Sequence, residues 1–105
     1  MRDLLLSITL LLASFAQATD YHVSPSGNDS NNGTTASSAW RTIDRVNQST
    51  YSYGPGDRIL FERGGTYHGE VILGTSGTAS QPITVGAYGT GELPVILGSE
   101  PLTGW

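Results

Sequence analysis

The segment RILFERGGTYHGEVIL, residues 58–73, carries the side chains of this chain that are best suited to acid–base chemistry. Its two apolar triplets are separated by a stretch that contains Glu62, Arg63, Tyr67, His68 and Glu70. A proton-transfer reaction would use Glu70 with His68, but these are only two residues apart in a glycine-rich stretch, with no further group to orient them. We therefore predict a solvated corner between strands. Glu62 and Arg63 are expected to form an exposed ion pair, which would contribute little stability.

Three other features could bind a ligand. The sequence NDSNNG, residues 28–33, offers oxygen ligands for calcium, but its spacing differs from the EF-hand loop and favours a turn rich in Asx residues. His22, in a short predicted strand, is interpreted as structural. Trp40 could stack on a sugar, but its helical spacing with Ile43 and Val46 favours a place in the core. The residues alone thus predict no catalytic, cofactor-binding or metal-binding side chain in this chain.

Residues 1–18, MRDLLLSITLLLASFAQA, have the anatomy of a secretory signal peptide. Arg2 precedes an apolar run from Leu4 to Phe15, and the small-residue triplet 16–18 predicts cleavage before Thr19. The run is too short for a membrane span, which needs about 20 residues. We predict a secreted or periplasmic protein that has no membrane association after cleavage.

The composition narrows the classes of partner. The net charge is −4, and the chain has neither cysteine nor lysine. An acidic chain without basic clusters argues against nucleic acid as a partner. Because disulfides are excluded, stability has to come from packing or from a larger assembly. For the oligomeric state, we predict a monomer.

The region from residue 19 to 58 is predicted to form a strand, a loop and a capping helix. DYHV, residues 20–23, has the pattern of a short strand, and the polar stretch after it that of a loop. A short helix is predicted to follow, capped by Ser37 or Ser38 and with Trp40 on its apolar stripe. YGPGD, residues 53–57, is predicted to form a tight turn.

From residue 59 to 105 the sequence repeats with a period of twelve residues. The blocks are ILFERGGTYHGE, VILGTSGTASQP, ITVGAYGTGELP and the partial VILGSEPLTGW. The first and third positions of each block are apolar: Ile59/Phe61, Val71/Leu73, Ile83/Val85 and Val95/Leu97. Glycine occupies the fourth position in three blocks, and Gly-Thr the seventh and eighth in three.

This period predicts a β-solenoid, because each unit forms one short strand and a corner and must bury its apolar face on another unit. Alternate residues of a strand share a face, so positions one and three should be buried and position two should face outward. Two units would complete one turn of 24 residues, with the third strand on the first and the fourth on the second, in parallel. The strand spacing also fits an antiparallel sandwich, which we keep as the alternative.

The pattern from Tyr21 to Gly98 resembles the N-terminal region of secreted right-handed parallel β-helix proteins, a group that includes pectate-lyase-like and chondroitinase-B-like polysaccharide lyases. Its most specific parts are PGD before a strand, GGTY after it, and PITV, AYG and PVI further on. The resemblance implies an all-β, right-handed parallel β-helix with an N-terminal strand and helix cap, about two turns, and an incomplete C-terminus.

The resemblance also implies a function. In such lyases Lys or Arg typically removes the proton and calcium often neutralises the carboxylate, in turns further along the helix. This chain has no lysine and no matching arginine, so no catalytic residue is carried over. We expect an inactive fragment of a polysaccharide lyase, with a glycoside hydrolase as second choice. Acidic polysaccharide would be the partner of the full-length protein, and calcium could bind only there. The alternative is a non-catalytic β-helix: a surface protein, an adhesin or a carbohydrate-binding protein.

Overall fold

The computed structural model describes residues 18–98. The predicted signal peptide, apart from Ala18, lies outside these residues, as does the segment 99–105. The elements follow in chain order: β1 (Asp20–Val23), a 3-10 helix (Ala36–Ser38), α1 (Ile43–Gln48), β2 (Arg58–Glu62), β3 (Thr66–His68), β4 (Thr84–Tyr88) and β5 (Val95–Leu97). Within residues 18–98, no helix is long and apolar enough to cross a membrane.

The strands form two small parallel sheets. The first has the order β1–β2–β4, with Tyr21 opposite Ile59 and Ile59 opposite Val85. The second contains β3 and β5, with Tyr67 opposite Ile96. Parallel partners cannot be joined by a tight hairpin. The segments between them are therefore long, and they carry α1 and the polar loops.

The core lies between α1, the loop before it and the first two strands of the larger sheet. Its buried residues are Val23, Trp40, Ile43, Val46, Tyr53, Ile59, Phe61 and Tyr67. Tyr21 stacks on Trp40 with ring centroids 5.1 Å apart, and Phe61 meets Tyr67 edge-on at 4.9 Å. Such aromatic pairs add stability beyond the apolar area they bury.

The polar loop after β1 wraps around Trp40. The backbone N–H of Trp40 donates to His22 and its carbonyl accepts from Ser24, while the indole N–H donates to the Asn31 carbonyl at 2.9 Å. Gly33 has φ +78°, and a Cβ there would lie 2.6 Å from the indole ring. A side chain at Gly33 would therefore be strained as well as crowded.

The prediction that Trp40 lies in the helix is wrong, although its assignment to the core is confirmed. Helix α1 begins at Ile43, and Thr42 is its N-cap, accepting a hydrogen bond from the Arg45 N–H. Ser38, a predicted cap, ends the preceding 3-10 helix instead. Thr42 forms the better cap because its hydroxyl faces an unpaired N–H of the first helical turn.

The predicted right-handed parallel β-helix is contradicted. Two short parallel sheets with a short helix form a small α/β arrangement, and no solenoid is found among residues 18–98. Every strand pair of these sheets is parallel, so the antiparallel sandwich is wrong as well.

The second twelve-residue block forms no strand, since side chains near the end of α1 hydrogen-bond the N–H and C=O groups of its backbone. The Asn47 amide donates to the Glu70 carbonyl at 2.8 Å and accepts from the Ile72 N–H at 2.8 Å. The Thr50 hydroxyl donates to the Ile72 carbonyl and accepts from the Gly74 N–H. These two side chains bond the backbone groups that a neighbouring strand would otherwise bond. A strand, β3, is found instead at Thr66–His68, in the part of the first block predicted to be a corner.

The predicted division into a buried and an outward face holds only in part. Ile59 and Phe61 are fully buried, but Leu60, predicted to face outward, is buried too. Val85, predicted to be buried, is 43% exposed. Burial thus depends on what covers each strand, since β2 lies between two neighbours and β4 is at the edge of the sheet.

Candidate functional site

Two adjacent cavities lie at the start of α1 and share Arg41 and Thr42. The first encloses about 270 Å³ and is lined by Pro25, Arg41, Thr42, Ile43, Thr66, Tyr67 and His68. The second encloses about 440 Å³ and is lined by Gly27, Asn28, Asp29, Arg41 and Thr42. We call the two cavities together the Arg41 groove.

Asp29 fixes the shared wall of the Arg41 groove. Its carboxylate accepts hydrogen bonds from the N–H of Arg41 at 2.8 Å, the N–H of Thr42 at 3.0 Å and the Thr42 hydroxyl at 2.7 Å. Burial by itself would raise the pKa of Asp29, but the Thr42 hydroxyl and the two backbone N–H groups outweigh it and lower that pKa. The carboxylate is therefore held ionised and is occupied in positioning the start of α1.

We expect Asp29→Asn to remove a pH-dependent part of the stability. A carboxyl group whose pKa is lower in the folded state stabilises the fold above its unfolded pKa of about 3.9, and this contribution disappears as the pH falls through the folded pKa. Because Asp29 is exposed, the contribution should be at most about 1 kcal/mol. Urea unfolding at pH 6 and pH 3 measures it. Glu92→Gln, at an exposed loop residue, is the control, and equal pH dependence in wild type and Asp29→Asn would contradict the prediction.

Tyr67 belongs to the core and is not a solvated corner residue, so that part of the prediction is wrong. It is 3% exposed, and its hydroxyl donates to the backbone carbonyls of Val23 at 3.2 Å and Glu62 at 3.0 Å. Burial raises its pKa to about 12, so the phenol stays neutral at physiological pH. Its neighbour His68 is exposed and reaches the Arg41 groove.

The remaining candidates of the first segment are separated from one another. The Glu62 carboxylate accepts from the Ser24 hydroxyl at 2.5 Å, and the Arg63 guanidinium donates to the Gly91 carbonyl at 3.3 Å. The predicted pair of Glu62 with Arg63 is therefore wrong. The ion pair found within residues 18–98 joins Arg58 to Asp20 at 2.6 Å. Glu70 is exposed and lines neither cavity of the groove.

The other predicted ligand-binding residues have structural partners. Asn28 accepts from the Ser30 N–H at 2.8 Å and Asn32 from the Thr34 N–H at 3.0 Å, as in Asx turns. His22 hydrogen-bonds the Gly33 carbonyl through Nδ1 at 3.1 Å. Across residues 18–98, no three His, Asp or Glu side chains are grouped as metal ligands.

The Arg41 groove combines hydrogen-bonding groups with a small apolar wall. Polar groups come from Arg41, Thr42, Thr66 and His68. The exposed Pro25 supplies the apolar wall, which is backed by the buried Ile43. Hydrolysis of a glycosidic bond requires two carboxyl groups on either side of that bond. The groove has one carboxylate, Asp29, which already accepts three hydrogen bonds. The groove is thus suited to binding a hydroxyl-rich ligand and lacks a catalytic pair.

Sequence reasoning missed Arg41. It follows the buried Trp40 and precedes the cap Thr42, and neither neighbour marks it as a groove residue. Its place depends on the loop that carries Asp29 back to the start of α1, which is a contact between residues 12 positions apart.

Comparisons with known proteins identify carbohydrate-acting relatives. No family model matches the chain. The chain is 36% identical over 70 residues to a lacto-N-biosidase of Bifidobacterium longum subsp. longum, an alignment that covers 64% of this chain and 4% of the relative. The crystal structure of GH136 lacto-N-biosidase from Eubacterium ramulus matches with a TM-score of 0.62 and 33% identity, covering 81% of this chain and 13% of that one. Its selenomethionine derivative matches with a TM-score of 0.62 and 32% identity, over 81% of this chain and 14% of that one.

These findings correct the predicted family. The similar proteins are lacto-N-biosidases, which are glycoside hydrolases, so the assignment to pectate-lyase-like or chondroitinase-B-like polysaccharide lyases is wrong. The prediction of a carbohydrate-acting protein agrees with them in general terms. The chain spans only 4% of the curated relative and 13% of the solved one.

Proposed function

We propose that this chain is part of a carbohydrate-acting protein of the glycoside hydrolase class and that its own residues bind and support the glycan without cleaving it. The observation that carries the proposal is the match to the GH136 lacto-N-biosidase structure, at 33% identity over 81% of this chain. Identity at that level, together with a TM-score of 0.62, relates this chain to one part of a hydrolase.

The Arg41 groove supports the second half of the proposal. The groove is lined by Arg41, by Thr42 and Thr66 and by the exposed His68, whose side chains are of the kinds that hydrogen-bond sugar hydroxyls, and the exposed Pro25 adds a small apolar surface. Since Asp29 is occupied by Arg41 and Thr42, no acid–base pair remains in the groove for hydrolysis. Under this proposal the pair of carboxyl groups that hydrolysis requires lies outside the Arg41 groove.

The proposal is tested by assaying the full chain alone and the longer protein of which we propose it is a part. We expect the longer protein to hydrolyse a chromogenic lacto-N-bioside and the full chain alone to release no product. Neither should give unsaturated products from pectate, alginate or chondroitin with calcium present. Formation of such products would contradict the hydrolase class, and hydrolysis by the chain alone would contradict a non-catalytic role.

Glycan binding by the Arg41 groove has a separate test. Titration of the full chain with lacto-N-biose should shift the NMR signals of Thr42 and Thr66, and Arg41→Ala should weaken binding several-fold. Arg63→Ala is the matched control, since the Arg63 guanidinium lies outside the groove and contacts the Gly91 carbonyl. Shifts that Arg41→Ala leaves unchanged would contradict binding in the groove.

A further inference from the structure

Asp57 holds the beginning of β1 through a buried carboxylate. The residue is 6% exposed, and its Oδ1 accepts a hydrogen bond from the backbone nitrogen of Thr19 at 2.8 Å. Its Oδ2 accepts from the Gly54 N–H at 2.8 Å, which closes the YGPGD turn. The Thr19 carbonyl in turn accepts from the Arg58 N–H at 2.9 Å. Thr19 is therefore held at both its nitrogen and its carbonyl.

The same carboxylate lies where the first sheet begins. Asp20, Arg58 and Thr84 are opposite one another in β1, β2 and β4, and the Asp57 carbonyl accepts from the Thr84 N–H at 3.0 Å. A buried carboxylate needs compensating partners, and the two backbone N–H groups are neutral donors. A positive charge at the position of the Thr19 nitrogen would compensate it better.

Cleavage at the predicted site would create that positive charge. We propose that removal of residues 1–18 turns the hydrogen bond between Thr19 and Asp57 into an ion pair between the new α-ammonium group and the buried carboxylate, which fastens the mature N-terminus to the sheet. A signal peptidase and water cleave the Ala18–Thr19 peptide bond: Ala18 gains the hydroxyl oxygen as a carboxylate, and the Thr19 nitrogen gains the protons as an ammonium. The Thr19 nitrogen need not move, because it already lies 2.8 Å from Oδ1.

Other ionisable groups near the pair do not compete for it. The Arg58 guanidinium pairs with the Asp20 carboxylate at 2.6 Å, on the exposed side of the sheet. Burial raises the pKa of Tyr53 to about 12, so this neighbour stays neutral while an α-amino group titrates. Asp57 is thus the carboxylate to which the ammonium would be bound.

The absence of lysine makes the proposal measurable. The α-amino group is the sole primary amine of the processed chain, so any amine-directed reagent reports on it alone. Pairing with Asp57 raises the pKa of this amine above its ordinary value of about 8, whereas burial without a charged partner lowers it. The direction of the shift therefore separates an ion pair from simple burial.

The experiment uses the full chain, secreted with its own leader and collected after export. Intact mass should show a chain that begins at Thr19. The acetylation rate is then measured against pH for the native protein and in concentrated urea. We expect the native midpoint to lie at least one unit higher, and the native rate near pH 7 to be slower by about tenfold or more, because each unit changes the fraction of neutral amine tenfold.

Asp57→Asn keeps the shape and the acceptor oxygen but removes the charge, and it should lose the upward shift. Asp20→Asn is the control, since it removes a nearby exposed carboxylate and should keep the shift. A native midpoint equal to or below the one in urea would overturn the proposal, and this wild-type comparison holds even where Asp57→Asn fails to fold. An exported chain that begins at another residue, or an upward shift that survives in Asp57→Asn, would overturn it as well.

Discussion

Replacing Trp40 with alanine should lower the free energy of unfolding by about 3–5 kcal/mol, the range for a large buried aromatic side chain. The indole is 1% exposed and is held on three sides: it stacks on Tyr21, lies 4.4 Å below the Arg45 guanidinium and donates to the Asn31 carbonyl. Alanine would leave a cavity beneath Gly33 and an unpaired carbonyl. Urea unfolding of the full chain, followed by far-UV circular dichroism, measures the loss.

Tyr51→Ala is the control for Trp40→Ala. Tyr51 is also aromatic and close to α1 in the sequence, but it is 80% exposed, so its removal should cost less than about 1 kcal/mol. Equal losses at Tyr51 and Trp40 would contradict the assignment of Trp40 to the core. Equal losses would instead favour the alternative that Trp40 is exposed and stacks on a sugar.

Ile59→Ala should cost about 2–5 kcal/mol, because it removes a branched side chain from a fully buried position in the central strand of the larger sheet. Ile59 lies opposite Tyr21 of β1 and Val85 of β4, so both neighbouring strands would lose packing. The same urea titration measures the loss. A cost below 1 kcal/mol would mean that the larger sheet does not enclose this part of the core.

Val85→Ala provides the matched comparison for Ile59→Ala. The two residues are direct partners in the sheet, so both side chains lie in the same row, but Val85 is 43% exposed. Replacing the exposed Val85 should lower the free energy of unfolding by less than about 1 kcal/mol, since little buried apolar area is lost. The repeat pattern assigns both residues to one buried face, and equal costs would restore that assignment against the structure.

The sequence by itself determined the local features whose signals act over a few residues. The strand at DYHV matches β1, and YGPGD forms its turn, with Gly56 at φ +82°. Ile43 and Val46 form the buried stripe of α1 as predicted, because a spacing of three residues places both on one helix face. The Asx-rich turn at residues 28–33 likewise follows from side chains that bond their own neighbouring backbone.

Only the tertiary structure decided how the repeated blocks are used. The second block has the same apolar pattern as the first, yet Asn47 and Thr50 hydrogen-bond its backbone, so it does not become a strand. The composition around Tyr67 indicates a corner, but the residue enters β3 and its hydroxyl bonds the Val23 carbonyl, 44 positions away. A sequence repeat shows which residues are apolar, but it does not show which segments pair with a neighbouring strand.

The candidate site also depends on contacts that only the tertiary structure decides. The sequence gives no sign that the residues of the Arg41 groove lie together. Asp29 contacts Arg41 and Thr42 only because the loop folds around Trp40. Asp57 is likewise an ordinary turn residue in the sequence, and its contact with Thr19 joins positions 38 residues apart. Local propensity acts between neighbours in the chain, whereas burial, hydrogen-bond partners and charge at these positions depend on residues that only folding brings together.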